Sequence, residues 1–374
     1  MRLLINTASA RQGGSVQVAY SFIRECEKIE AHQYGLIAGP SLQKLLDQSP
    51  PLRNFKIYKV NKRPAQTPVK AFCGTIYDHI EEDFEPDVVF TTSGPSYWNS
   101  RAPHLMGYNL PHYIYPESPF FSMIGAREKA RWWLWKQLIK YFYRRDADAL
   151  VVQTDDVNER ARMLLGIEDV TTVFNTCGSH FKNGNHAPFS GLNREPGKEY
   201  LLYLTSYYTH KNVEIINRVV PLLERMAGGR FVFVLTLRDA DYRSAIDSDV
   251  SNQVINIGPV KPEECPGLYA EVDYSFQPTL LECFSASYAE SMAMGRPILT
   301  SDMGFARTIC GDAAEYFDPM DAQSIASCIM SLADNKTRQL ALVKLGRTRL
   351  QSFCDASERA EKYLTICQRL IDCT

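Results

Sequence analysis

The sequence predicts an α/β fold of two domains, each built on a parallel sheet with helices on its faces. Strand-like apolar runs alternate with helical stretches almost from end to end, which is typical of α/β layers. A chain of 374 residues is too long for one ordinary core, so two domains are expected. Residues 179–199 are rich in Gly, Pro, Asn and Ser and lack periodic apolar positions, which indicates a linker.

The first domain, residues 1–178, is predicted to be a Rossmann-like unit. Short apolar runs predict its strands, and apolar residues at helical spacing predict its first helix. The expected elements are, in order, strand 2–6, helix 15–28, and strands 87–91, 113–115, 149–153 and 171–174, the last followed by Asn175.

The second domain, residues 200–352, repeats the alternation. Its expected elements are strand 200–204, helix 213–226, strands 231–236 and 253–258, helix 262–270, and strands 274–277 and 297–301, with a last amphipathic helix at 356–370. Ligands of open α/β sheets bind at the carboxyl ends of the strands, so the segment after strand 274–277 is a candidate site.

Composition excludes several classes of protein. A net charge of -2 and a charged fraction of 22% argue against a general nucleic-acid partner. The ten cysteines form no Cys-x-x-Cys pair, so neither a zinc ribbon nor a redox motif is expected. No run approaches the roughly 20 apolar residues of a membrane span, and the first residues do not predict a secretory leader, so a cytoplasmic location is expected.

The most informative segment holds two carboxylates eight residues apart, Glu282 and Glu290. Ser285 or Ser287 can cap a helix there, and that helix would end at Gly295. Glu282 would then precede the helix, and Glu290 would lie about one and a half turns into it. The N–H groups of the first turn favour an anion such as a phosphate, and each carboxylate can accept paired sugar or ribose hydroxyls.

Two loops add chemistry that fits a phosphate. Gly13 and Gly14 follow the first strand, where paired glycines permit a close backbone approach, although a plain turn explains them equally well. The loop lacks the Gly-x-Gly-x-x-Gly spacing of dinucleotide folds. Lys211 follows the first strand of the second domain, where it can supply a compact positive charge to an anionic ligand.

The order of these features resembles family 4 glycosyltransferases (glycosyl transferases group 1) of the GT-B fold. The resemblance covers nearly the whole chain and is carried by Gly13-Gly14, Asn175, Lys211, Gly258, the run 268–273, and Glu282 and Glu290 followed by Met-Ala-Met-Gly-Arg-Pro. It implies two Rossmann-like domains facing across a cleft, with the C-terminal helix, residues 353–374, packing on the first domain. It also implies a retaining transferase that uses a nucleotide-diphosphate sugar and needs no metal or other cofactor.

The resemblance also implies roles for individual residues. Glu290 would bind the ribose, and Glu282 the donor sugar near its reacting face. Lys211 would bind the phosphates, with Gly13 and Gly14 contacting the diphosphate from the first domain. The backbone amides of the first helical turn would contact the sugar and pyrophosphate; they belong to Phe284, Ser285, Ala286 and Ser287.

Three positions depart from the family pattern. Ser206 stands in the donor-binding loop where the family usually has an arginine, so a second phosphate cation must come from elsewhere. Candidates for this cation are Arg11, Arg238 and Arg307, the last standing where a glutamate is common. Glu117 is the best match for a histidine of the first domain, and could orient the sugar or accept the acceptor's proton; His112 and His104 are the alternatives.

The acceptor is less determined. Residues 127–145 predict a basic helix crowded with aromatic residues, which could rest on an anionic membrane or simply pack its rings inward. The expected function is transfer of a hexose, with UDP favoured over guanosine diphosphate, to a glycan or lipid-linked acceptor in polysaccharide biosynthesis. The alternatives are a nucleotide-sugar hydrolase or epimerase on the same fold, and a non-catalytic glycan-binding or partner subunit.

Overall fold

The computed structural model describes residues 1–10, 13–61, 76–181 and 186–373. Up to residue 175 the strands are β1 (Arg2–Asn6), β2 (Gln33–Ala38), β3 (Phe55–Lys59), β4 (Val88–Thr91), β5 (His104–Gly107), β6 (Ala149–Val152) and β7 (Val170–Thr172). The helices are α1 (Gly14–Cys26), α2 (Pro40–Asp47), α3 (Ile76–Phe84), α4 (Pro111–Ile114), α5 (Phe120–Met123), α6 (Ala126–Asp146) and α7 (Asp155–Leu165).

The rest of the chain continues the alternation. Its strands are β8 (Glu199–Tyr203), β9 (Phe231–Leu235), β10 (Val254–Asn256), β11 (Tyr274–Gln277), β12 (Ile298–Ser301) and β13 (Ala314–Phe317). Its helices are α8 (Ile216–Ala227), α9 (Asp239–Ala245), α10 (Cys265–Ala270), α11 (Ala286–Ala293), α12 (Gly304–Cys310), α13 (Ala322–Ala333), α14 (Lys336–Leu350) and α15 (Ala356–Asp372).

The strands form two parallel sheets. The first has seven strands in the order β3-β2-β1-β4-β5-β6-β7, and the second has six in the order β10-β9-β8-β11-β12-β13. Every strand pairing among the described residues is parallel. The central strands are buried apolar runs, as expected where helices cover both faces. The predicted α/β class with two Rossmann-like domains is confirmed.

The chain divides into two compact units. Unit 1 comprises Met1–Ile114, Ala126–Asn175 and Cys354–Thr374, and unit 2 comprises Tyr115–Gly125 and Thr176–Phe353. Unit 1 includes α15 because Tyr363 packs edge-on against Phe22 of α1 and Phe90 of β4, with ring centroids 5.4 and 5.1 Å away. The domain boundaries drawn from the sequence stay a prediction.

The predicted strand 113–115 is wrong. Pro111–Ile114 forms the short helix α4, since proline is favoured in the first turn of a helix. The strand lies earlier, at His104–Gly107, where the imidazole Nε2 of His104 lies 2.7 Å from Thr91 Oγ1 of the neighbouring strand. Strands β2, β3 and β13 lie outside the predicted set. No helix in the described parts of the chain is long and apolar enough to span a bilayer.

Candidate functional site

Helix α11 begins beside the carboxyl end of β11, as the sequence predicts. Its N-cap is Ser285, whose side chain makes no capping hydrogen bond. The first N–H groups of a helix lack partners within the helix, so this end offers donors to an anion. The helix is anchored by Tyr288, whose hydroxyl lies 2.8 Å from Thr300 Oγ1 of β12.

The structure brings Lys211 and Glu282 together. Lys211 ends a 3-10 turn, Thr209–Lys211, that follows β8, and Glu282 follows the adjacent strand β11. The two loops are joined because the Leu280 N–H donates to the His210 carbonyl at 2.8 Å. Lys211 Nζ donates to Glu282 Oε1, and both side chains are only about 15% exposed, at 16% and 14%. The ammonium therefore balances the charge of the carboxylate.

Asn212 fixes the turn that carries this lysine. Its φ of 55° lies in the left-handed region, which asparagine adopts more readily than most residues. The buried side chain donates to the Pro319 carbonyl at 2.8 Å and the Pro278 carbonyl at 3.3 Å. Sequence reasoning missed this residue, although an asparagine directly after a short helical turn is a recognisable signal for such a cap.

Glu290 lies on α11 in a half-buried position. The buried Tyr269 hydroxyl donates to its Oε2 at 3.3 Å, which orients the carboxylate and leaves Oε1 available to accept other hydrogen bonds. Burial raises the pKa of Glu290 from 4.5 to about 7. This group therefore changes charge near neutral pH, which an exposed glutamate would not do.

The segment that holds Glu117 packs on the loop before Glu282. Ser118 Oγ donates to the Leu280 carbonyl at 2.8 Å, and Glu117 itself is exposed. The alternative histidines have other surroundings. His112 stacks on Trp132 with centroids 4.4 Å apart, and burial lowers its pKa to about 4. His104 is buried within the first sheet, and its pKa falls to about 3 for the same reason. Glu117 thus lies in unit 2 with the loop of Glu282, whereas His104 and His112 lie in unit 1, and the role of Glu117 stays a prediction.

An aromatic cluster adjoins Lys211 and was not predicted. The Tyr208 and His210 rings are stacked with centroids 5.5 Å apart, and Phe120 meets the His210 ring edge-on at 6.4 Å. Tyr208 is 46% exposed, so the loop around the ion pair also presents an apolar ring face.

Gly13 and Gly14 lie in unit 1 at the start of α1. Gly13 is the N-cap with a φ of 60° and a ψ of -135°, a conformation that needs glycine. A Cβ at either position would meet no described atom within 4 Å, so the loop has open space beside its backbone. This space fits both a simple turn and an approaching ligand.

Arg238 and Arg307, two candidates for the second phosphate cation expected at the position of Ser206, differ in their places in the fold. Ser206 is exposed, and its neighbour Thr205 is tied to Thr236 at the end of β9 by hydrogen bonds of 3.0 and 2.9 Å. Arg238 follows Thr236 closely, is 77% exposed, and pairs with Asp241 on its own helix. Arg307 is held by both oxygens of Asp302 at the end of β12.

These positions favour Arg238, because β9 is the direct neighbour of β8 whereas β12 is two strands away. Arg11 lies outside the described residues. No group of three or more His, Cys, Asp or Glu side chains is placed to hold a metal ion in the described ranges.

The chain is similar to known proteins over this site. The family model of glycosyl transferases group 1 matches residues 198–335, so the resemblance predicted from the sequence is confirmed there. A glycogen synthase of Mycobacterium tuberculosis is 24% identical over 268 residues, which are 66% of this chain and 63% of the relative. The chain thus spans less than two thirds of the length of that relative.

Solved structures extend the likeness to the whole fold. The sucrose-phosphate synthase of Thermosynechococcus elongatus superposes with a TM-score of 0.74 at 13% identity, covering 100% of both chains. The HepE protein of Anabaena in complex with UDP and glucose gives a TM-score of 0.66 at 11% identity, covering 99% of this chain and 100% of its own. The chain has the GT-B fold.

Proposed function

We propose that this chain, whose residues 198–335 match glycosyl transferases group 1, transfers a hexose from a nucleotide-diphosphate sugar to a glycan or lipid-linked acceptor in polysaccharide biosynthesis. The observation that carries the proposal is the ion pair of Lys211 with Glu282 in the loop that leads into α11. A cation, a helix N-terminus and two carboxylates on adjoining elements match the charges and hydroxyls of a sugar nucleotide.

The donor would be held at both of its ends. Glu290 accepts the ribose hydroxyls, with Tyr269 fixing one carboxylate oxygen and leaving the other for the ligand. Glu282 accepts hydroxyls of the sugar. The amides at the start of α11 and Lys211 bind the diphosphate between these carboxylates.

Lys211 can bind the leaving diphosphate while it keeps its hydrogen bond to Glu282. An ammonium carries three donors, of which one is directed at the carboxylate and the others can reach phosphate oxygens. Negative charge grows on the diphosphate as its bond to the sugar breaks, so a cation already held in place stabilises the transition state. Glu117 is proposed to orient the sugar or to take the proton from the acceptor hydroxyl.

We further propose that the reaction retains the anomeric configuration, needs no metal, and uses UDP as the carrier. The UDP choice is supported by HepE, which was solved with UDP and glucose. The configuration of the product by proton NMR tests retention, and full activity after treatment with a chelator tests metal independence. A product of inverted anomeric configuration would overturn retention. Loss of activity with the chelator that only an added divalent cation restores would overturn metal independence.

Transfer is tested by measuring release of the nucleotide from a panel of sugar donors, with and without candidate glycan and polyprenyl-linked acceptors. Acceptor-dependent release is the expected result. Sugar release at the same rate without any acceptor would indicate a hydrolase. Binding of glycans but of no nucleotide would indicate a non-catalytic subunit.

A further inference from the structure

Helix α6 exposes an apolar stripe on the side opposite its packed face. The packed face holds Ile139, Phe142 and Tyr143, which are buried. The exposed stripe is formed by four large residues that are 61%, 59%, 44% and 48% exposed, namely Trp133, Leu134, Leu138 and Tyr141. At 100° per residue these four fall within one continuous sector of the helix surface. The interpretation that all the rings pack inward is therefore wrong.

Basic side chains border this stripe on both sides. The helix carries seven Lys and Arg against two acidic residues, although the whole chain has a net charge of -2. Lys129, Lys136 and Lys140 line one border, and none of them has an acidic partner within the described residues. Burial, and then the charge of Lys140, lower the pKa of Lys136, as expected for neighbouring cations. Arg131 lies along the opposite border, where it pairs with Glu128, and Arg127 precedes the stripe on the same side of the helix.

We propose that the exposed face of α6 docks on an anionic lipid surface, with Trp133, Leu134, Leu138 and Tyr141 entering the interface and the flanking lysines contacting headgroups. Tryptophan and tyrosine favour the boundary between headgroups and acyl chains, and a basic rim matches the charge of an anionic bilayer. A protein partner would have to be both acidic and apolar to fit the same face. This docking goes beyond the transfer reaction and does not depend on it.

The direct test is co-sedimentation of the full chain with vesicles of phosphatidylcholine alone and of phosphatidylcholine with phosphatidylglycerol, at low and high salt. We expect binding to the anionic vesicles at low salt and weakening by salt, because screening reduces attraction between exposed charges. Brominated lipid should quench the tryptophan emission, since Trp133 enters the interface. No sedimentation at low salt, or binding without quenching, would overturn the proposal.

Matched variants distinguish binding through the stripe from non-specific binding through any exposed apolar residue. The change Trp133→Ser with Leu134→Ser and Leu138→Ser should abolish binding. Control changes at other exposed apolar residues, Met163→Ser (78% exposed) and Leu340→Ser (72% exposed), should leave binding intact.

Charge is tested in the same way. Reversal of Lys129, Lys136 and Lys140 to Glu should weaken binding at least about ten-fold. The same reversal of Lys336, Lys344 and Arg347 on α14 changes the net charge equally and should have a much smaller effect. Equal losses in the two charge variants would overturn the proposal, as would a stripe variant that still binds. Sedimentation velocity without lipid adds one further outcome. If the wild type is a dimer and the stripe variant is a monomer, the exposed face of α6 binds a second copy of the chain, and the lipid partner is contradicted.

Discussion

Lys211 Nζ donates to Glu282 Oε1 in the ligand-free chain, on two loops that follow adjacent strands of the second sheet. The pair is mostly shielded from water, so each charge depends on the other for compensation. The ammonium is thereby held at the site before any phosphate arrives. The contact balances the charge of Glu282, whereas the second phosphate cation expected at the position of Ser206 must come from another residue.

Removal of Lys211 should largely abolish turnover. We expect Lys211→Ala to lower kcat/KM at least about a hundred-fold, because the leaving diphosphate loses a preorganised cation. Glu282→Gln should lower it comparably, whereas Lys198→Ala, at another ion pair of unit 2, should have little effect. Steady-state rates with the preferred donor measure these values. Full activity in Lys211→Ala would contradict the phosphate assignment.

Donor affinity should depend on pH through Glu290. Its pKa of about 7 means that the carboxylate ionises as the pH rises through neutrality, and the ionised form accepts hydroxyls better. We expect roughly ten-fold weaker binding at about pH 6 than at about pH 8, measured by calorimetry. Glu290→Gln keeps a hydrogen-bond acceptor but cannot ionise. In this variant the donor affinity should therefore depend on pH only as far as ionisation of the donor phosphate requires. An unchanged profile in that variant would argue against Glu290 as the ribose ligand.

The same carboxyl should affect stability. Its pKa is raised above 4.5 in the folded chain, so the folded state keeps the proton at pH values where the unfolded state has released it. Stability contributed by this group is therefore lost as the pH rises from about 4.5 to about 7. Glu290→Gln should reduce that loss, which thermal unfolding across this pH window would detect.

Arg238 is expected to supply the second phosphate cation. Its place at the end of the strand beside β8 predicts that Arg238→Ala raises the donor KM about ten-fold. Arg243→Ala, an exposed position on the same helix, is the matched control. Arg307→Ala should change KM little, because Arg307 follows β12, which is two strands away from β8. A larger effect at Arg307 than at Arg238 would reverse the assignment.

Tyr363 should matter for the stability of unit 1. Tyr363→Ala removes the ring that packs on Phe22 and Phe90, and should lower the free energy of unfolding by about 3 to 5 kcal/mol. Tyr363→Phe keeps the packing and should cost far less. All four tryptophans lie in unit 1, so urea unfolding followed by tryptophan emission reports on this unit. Equal midpoints for the alanine variant and the wild type would contradict the packing role.

Sequence periodicity predicts the strands of the second unit from β8 to β12 because they are nearly continuous apolar runs between clear turns, but it misses β13 and the helices α12, α13 and α14. Strand 274–277 has the predicted bounds, and α11 begins after Ser285 as expected. Periodicity fails at β5, where four residues including a buried histidine give no alternation and the following Pro-His-Tyr-Ile is apolar enough to be mistaken for a strand.

The site was predictable in its residue types but not in its pairing. Glu282, Glu290 and Lys211 follow from their spacing and the family resemblance, yet their contacts depend on which strands are neighbours. The ion pair exists because β8 and β11 are adjacent, and a linear sequence of strands does not reveal that order. The contact of Tyr269 with Glu290 was missed for the same reason, whereas Asn212 carried a local signal as a cap although its contacts with Pro278 and Pro319 did not.

The most direct test of the central claim is calorimetric titration of the chain with UDP and with UDP-sugars, followed by the same titration of Lys211→Ala and Glu290→Ala. We predict saturable binding of a nucleotide sugar to the wild type, clear weakening in both variants, and no binding of the free hexose alone. Absence of binding by any nucleotide or nucleotide sugar, or equal affinity in the wild type and both variants, would contradict the assignment of this site to a nucleotide-sugar donor.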